Sequence, residues 1–137
     1  MAMRKKILVV EDDADLVELL SFNLKRAGFS VGTATEGIEA LKKARSLLPD
    51  LILLDLMLPE LDGFAVCEIL HRDSITSTIP IIILTAMSSQ LARLTGLDCG
   101  ASDYITKPFS TKHLLARVET ILGERAEAHA SVQTHPA

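Results

Sequence analysis

The chain has 137 residues and a formal net charge of -4, with 48% hydrophobic and 23% charged residues. This is enough for one domain with its own core. The acidic balance excludes broad electrostatic nucleic-acid binding by this chain itself, and no apolar run approaches the ~18 residues of a membrane span.

The start, "MAMRKKILVVEDD", turns acidic after a short apolar run, which does not fit a signal peptide. Met1-Ala2 reads as an extension ahead of a natural start at Met3. Cys67 and Cys99 have no motif spacing and read as reduced thiols, so a cytoplasmic location is expected. His71, His113, His129 and His135 show no metal-ligand spacing and read as surface residues.

The first predicted element is a strand, "KILVV" (6–10), followed by a helix over 14–27. Leu16, Val17, Leu19, Leu20 and Leu24 give that helix its spacing, and Gly28 is its C-cap. A weaker strand, "SVGTA" (30–34), precedes a helix over 37–47 with Ile38, Leu41, Ala44 and Leu47. "LILLD" (51–55) is the third strand, and 63–72 the third helix, with Phe64, Val66, Cys67, Ile69 and Leu70. "IIILT" (81–85) leads to a helix over 89–99 marked by Leu91, Leu94 and Leu97. "DYIT" (103–106) leads to the last helix, 110–124, with Leu114, Leu115, Val118, Ile121 and Leu122. The three nearly continuous apolar runs suit strands covered on both faces. Five strand–helix pairs predict an α/β domain with a parallel sheet and right-handed crossovers. After Gly123 the pattern fades, and 125–137 reads as a frayed helix end with a disordered tail, or the start of a linker.

In an open parallel sheet, ligands bind at the carboxyl ends of the strands. The first strand delivers Glu11, Asp12 and Asp13 there, the third Asp55, the fourth Thr85, and the fifth Lys107 just past its end. Crowded carboxylates raise one another's pKa, and a hard divalent cation relieves the repulsion. A lysine, a hydroxyl and a metal around one carboxylate make a site for a phosphoryl group, with the carboxylate as nucleophile. Taken singly, "EDDAD" reads as a helix N-terminus and Lys107 as a solvated charge. Four strand ends agreeing at one rim carry the functional reading.

With "ILVVEDD", "DLILLDLMLPELDGF", "IIILTA" and "GASDYITKPF" in this order, residues 4–124 resemble the receiver domain of bacterial two-component response regulators, in the CheY-like superfamily. The resemblance implies a doubly wound, flavodoxin-like (βα)5 sandwich with strand order 2-1-3-4-5. It implies a phosphorylation-dependent signalling switch that is not an enzyme beyond its own phosphorylation and dephosphorylation. A sensor histidine kinase or phosphotransfer protein would supply the phosphoryl group, and an effector domain or protein would read the output.

By matching position, Asp55 is the phosphoacceptor. Asp12, Glu11, Asp55 and the backbone carbonyl of Met57 hold Mg²⁺, and Asp13 caps the first helix. Thr85 follows the phosphoryl group, Lys107 is the family's lysine with a cis bond to Pro108, and Tyr104 is the aromatic that turns inward on activation. Tyr104 also has a plain reading as half-buried packing. The resemblance makes the 88–124 face the output surface and a homodimer face, with Asp103 and Arg117 matching one charged pair there. Two departures stand out: Asp98 would face Glu119, a like-charge contact, and a further charged position is Leu91, which reads either as part of an apolar partner surface or as plain core. Met57 and Met87 border the route of an attacking water.

Other chemistries fit less well. A haloacid-dehalogenase-type phosphatase needs a second Asp where this chain has Met57. A flavin carrier would want a hydroxyl-rich loop after the first strand, and a P-loop enzyme its Gly-Lys-Ser/Thr. A degenerate, purely structural receiver would lack acceptor residues that are all present.

Overall fold

The computed structural model describes residues 4–134. Five strands and five helices alternate: β1 (Lys6–Val10), α1 (Ala14–Arg26), β2 (Ser30–Ala34), α2 (Gly37–Leu47), β3 (Leu51–Leu54), α3 (Gly63–Arg72), β4 (Ile81–Thr85), α4 (Gln90–Asp98), β5 (Asp103–Thr106) and α5 (Thr111–Thr134). The strands form one parallel sheet in the order β2-β1-β3-β4-β5, the doubly wound order expected.

Strand residues alternate between two cores, because successive side chains leave a strand on opposite faces. Ile7, Val9, Leu51, Leu53, Ile82 and Leu84 pack with Leu20 and Leu24 of α1 and Leu114, Val118 and Ile121 of α5. Leu8, Val10, Ile52, Leu54, Ile81 and Ile83 pack with Ala40 and Ala44 of α2, Val66, Cys67 and Leu70 of α3, and Ala92 of α4. Burial on both faces explains why the central strands read as unbroken apolar runs rather than as alternating ones.

Two expectations need correction. The last helix does not end at 124 but runs to Thr134. The sequence after Gly123, "ERAEAHASVQT", lacks a core stripe but is rich in Ala and Glu, which favour helix without tertiary help, and a single Gly is tolerated. The tail's remaining residues, 135–137, lie outside those described. The leucines that mark α4 do not form a core stripe: Leu91 is exposed, in line with its reading as a partner surface, Leu94 and Leu97 are exposed as well, and the helix buries Ala92 and Gly96 instead. Spacing fixes which residues share a face but not whether that face points inward.

The two thiols lie close, with Cys67 Sγ donating to the Cys99 carbonyl at 3.7 Å. Burial pushes the Cys67 thiol up to about 12, and burial likewise raises Cys99. Thiolate is the reactive form. Iodoacetamide at mildly alkaline pH is therefore expected to leave Cys67 unlabelled in the native protein, with labelling only after urea unfolding. Peptide mass spectrometry reads the outcome, and rapid native labelling of Cys67 would contradict it.

Candidate functional site

Three carboxylates converge at the rim formed by the carboxyl ends of β1 and β3. Glu11 and Asp55 are 3% and 5% exposed, whereas Asp12 is exposed. One carboxylate oxygen from each lies within 4.8 Å of those of the other two. The ladder sets these positions. Glu11 N–H donates to the Ala34 carbonyl and Asp55 N–H to the Val10 carbonyl, both at 3.0 Å. Each acid therefore follows directly from a rigid, buried strand. Asp13 plays a different part. Its carboxylate caps α1, accepting from the N–H groups of Asp15 and Leu16. Its own N–H donates to Glu11 Oε2 at 3.0 Å.

Lys107 reaches across from the end of β5. Its Nζ donates to Glu11 Oε1 at 2.6 Å and to Asp55 Oδ2 at 3.0 Å. The backbone behind it is anchored by Lys107 N–H on the Thr85 carbonyl at 2.8 Å, and the Lys107–Pro108 peptide is cis. Burial raises the Glu11 carboxyl above its ordinary range against the pull of its hydrogen bonds from Lys107 and Asp13 N–H, and the charge of Asp55 adds to the rise. Burial works to lower the Lys107 ammonium, but its bonds to Glu11 and Asp55 outweigh that and raise it. One ammonium thus stands against three carboxylates. Closely spaced, hard oxygen donors with uncompensated negative charge fit a divalent cation such as Mg²⁺.

The remaining groups line the same rim. Asp55 Oδ1 accepts from Met57 N–H at 3.0 Å, and the Met57 side chain is exposed. Thr85 is fully buried, and its Oγ1 accepts from Met87 N–H at 3.4 Å. Tyr104 is buried in the α2–α4 side of the core, and its hydroxyl donates to the Met87 carbonyl at 2.6 Å.

A site of this kind, on this topology, can be set beside known proteins. The family model for the response regulator receiver domain matches residues 7–119. The chain belongs to that family.

Among curated relatives, this receiver is 51% identical over 120 residues to the alkaline phosphatase synthesis transcriptional regulatory protein PhoP of Bacillus subtilis (strain 168), covering 88% of this chain and 49% of that protein. It is 47% identical over 117 residues to the DNA-binding dual master transcriptional regulator RpaA of Synechocystis sp. (strain ATCC 27184 / PCC 6803 / Kazusa), covering 85% and 48%. The receiver therefore spans about half the length of these relatives. Among solved structures, a putative response regulator from Chloroflexus aurantiacus J-10-fl superposes with a TM-score of 0.84 at 37% identity, over 88% of this chain and 99% of that one. The BeF3-activated N-terminal receiver domain of Klebsiella pneumoniae RstA gives 0.81 at 36% identity, over 86% and 98%.

Glu11, Asp12, Asp55 and Lys107 of the receiver meet through their side chains, whereas Thr85 and Tyr104 connect through the backbone of Met87. Asp103 and Arg117 pair within the chain, Arg117 Nε donating to Asp103 Oδ2 at 2.6 Å. Asp98 and Glu119 are both exposed. Sequence reasoning missed Arg93, whose guanidinium meets Tyr104. A lone arginine on an exposed helix face gives no signal until the fold brings β5 beside it.

Proposed function

We propose that this receiver is the phosphorylation-dependent switch of a two-component system, and that Asp55 accepts a phosphoryl group from a phosphohistidine on a sensor histidine kinase or phosphotransfer protein. The observation that carries this is the bridging of buried Asp55 and Glu11 by Lys107 Nζ at a rim where three carboxylates converge. Glu11, Asp12 and Asp55, with the backbone carbonyl of Met57, would hold Mg²⁺. When bound, the cation offsets the charge of the phosphoryl oxygens. An Asp55 carboxylate oxygen forms the new O–P bond as the P–N bond breaks, and the imidazole leaves with its electron pair. Lys107 holds Asp55 for attack and pairs with the incoming group, and the Thr85 hydroxyl donates to a phosphoryl oxygen. Beyond its own phosphorylation and dephosphorylation the domain turns nothing over.

The added charge draws Thr85 and Lys107 inward and repacks the 88–124 face, with Tyr104 as part of the switch. The exposed Leu91, Leu94 and Leu97 give that face an apolar strip suited to an effector domain or a second copy of the chain. Because Asp103 already pairs with Arg117 inside the protomer, this apolar strip is the stronger candidate for the contact. The domain itself makes no contact with nucleic acid in this reading. No helix among the described residues is long and apolar enough to cross a membrane, and the domain works in the cytoplasm.

In this reading Met57 and Met87 border the route of an attacking water to Asp55. Replacing Met57, which is exposed at the rim, by a residue that can orient water (Met57→Asn) is expected to shorten the acyl-phosphate lifetime several-fold. The decay of phosphoprotein after removal of donor measures this, and an unchanged lifetime would exclude Met57 as a barrier to water.

Beryllofluoride, a phosphoryl mimic, provides the test of the site. Fluorine NMR is expected to show one bound species that requires both Mg²⁺ and Asp55 and is lost in Asp55→Asn. Binding that ignores either requirement would overturn the proposed site.

A further inference from the structure

Tyr104 is gripped from α4 by two residues one turn apart. The Arg93 guanidinium carbon lies 5.1 Å from the ring centroid, and Arg93 Nη1 donates to the Tyr104 carbonyl at 3.1 Å. Gly96 supplies the space: a Cβ there would lie 3.1 and 3.2 Å from Tyr104 Cδ2 and Cε2, and 2.7 Å from Ile83 Cδ1. Arg93 is itself exposed, and among the described residues it forms no ion pair. The described contacts of its guanidinium both go to Tyr104. From Tyr104 the connection runs inward. The phenol hydroxyl donates to the Met87 carbonyl, and Met87 N–H donates to Thr85 Oγ1. An unbroken line of contacts thus joins an exposed arginine on α4 to the hydroxyl at the end of β4.

We infer that Arg93 is a positioning residue that latches Tyr104 in its buried setting and, through the Met87 backbone, keeps the Thr85 hydroxyl ordered for the phosphoryl group. This rests on the reading of Asp55 as phosphoacceptor. A guanidinium suits this role because it can lie flat over a ring while its N–H fork reaches a carbonyl. The latch matters thermodynamically because a loop ordered before binding need not be ordered during it. Linkage makes the effect reciprocal: a ligand at Asp55 that engages Thr85 tightens the hold of Arg93 on Tyr104.

The chain has one tyrosine and no tryptophan, so tyrosine emission reports Tyr104 alone. The test compares wild type, Arg93→Ala and Arg93→Lys, with circular dichroism as the check that each folds. Two quantities are read: acrylamide quenching of tyrosine emission without ligand, and affinity for beryllofluoride with Mg²⁺. Arg93→Ala is expected to make Tyr104 more quenchable and to weaken beryllofluoride roughly three- to tenfold, a fraction of the combined worth of one exposed cation–π contact and one hydrogen bond, because only part of the lost ordering reaches Thr85. Arg93→Lys keeps a cation but loses the fork, and should fall between the two. Unchanged quenching in Arg93→Ala would remove the latch, and increased quenching with unchanged affinity would remove its coupling to the site. Weakened affinity without altered quenching would show that Arg93 acts by a route other than Tyr104, which overturns the latch. Failure of the wild type itself to bind beryllofluoride would instead sink the phosphoacceptor reading, and the coupling with it.

Discussion

Lys107→Met is expected to slow phosphoryl acceptance from acetyl phosphate by about 100-fold or more, the scale for losing one preorganised donor to developing charge. The substitution keeps an unbranched apolar stem of similar length, with a thioether sulfur in place of one methylene, and removes the ammonium, which in the native site donates to both Glu11 and Asp55. Two buried carboxylates then face each other without their shared counter-ion. Removing one partner of a fully buried pair costs about 3–5 kcal/mol. The Lys107 side chain is 22% exposed, so a smaller loss of about 2 kcal/mol at neutral pH is expected. The pH dependence follows from Glu11, whose folded-state pKa already lies above its ordinary value because of burial. A carboxyl raised in the folded state binds its proton more tightly there than in the unfolded chain. Its stabilising contribution is therefore present at low pH and is lost as pH rises through the folded value. Without Lys107 the rise is greater. The stability deficit of the variant, read by urea denaturation, should therefore be larger at about pH 7.5 than at about pH 5, and Mg²⁺ should reduce it. A deficit independent of pH, with normal phosphorylation, would make Lys107 an ordinary surface charge.

The second large effect is expected at Gly63. A Cβ at this position would run into the Leu56 Cα and lie 2.7 and 2.8 Å from the carbonyl oxygens of Leu56 and Asp55. All of these are backbone atoms, so no rotamer change relieves the clash. The Gly63 N–H also donates to the Leu56 carbonyl at 3.1 Å, which closes the loop carrying Asp55 and Met57 back onto the start of α3. Gly63→Ala is expected to destabilise the protein by about 3 kcal/mol, the upper range for overpacking, and to impair phosphoryl acceptance by moving Asp55. Gly123→Ala is the internal contrast. Nothing lies within 4 Å of a Cβ there and the residue is inside α5, so the change should stabilise by about 0.5–1 kcal/mol. Thermal or urea unfolding of the two variants side by side tests both signs. A Gly63→Ala protein as stable as wild type would mean the β3–α3 loop can shift freely.

These expectations show which parts of the molecule the sequence exposes. The central strands were legible because burial on both faces leaves an unbroken apolar run, and the site because each run ends abruptly in a group that is costly to bury alone. Glu11, Asp55 and Thr85 are such groups, and all three are buried. Other features depend on information that the pattern does not carry. The α4 leucines share a face by spacing, yet the close approach of Gly96 to Tyr104 turns that face outward. The extension of α5 to Thr134 follows from local propensity with no apolar stripe to announce it. Asp103 and Arg117 match a charged pair of an output face, but distance alone shows that they meet within the protomer. Arg93 acquires a role only when β5 lies beside α4.

The proposed role of Asp55 as a metal-dependent phosphoacceptor is read out by intact mass after exposure to acetyl phosphate and Mg²⁺, on wild type and Asp55→Asn with an EDTA control. The expected result is a single-phosphate gain in wild type only, abolished by EDTA. A gain of the same size in Asp55→Asn, or one that survives EDTA, would contradict it.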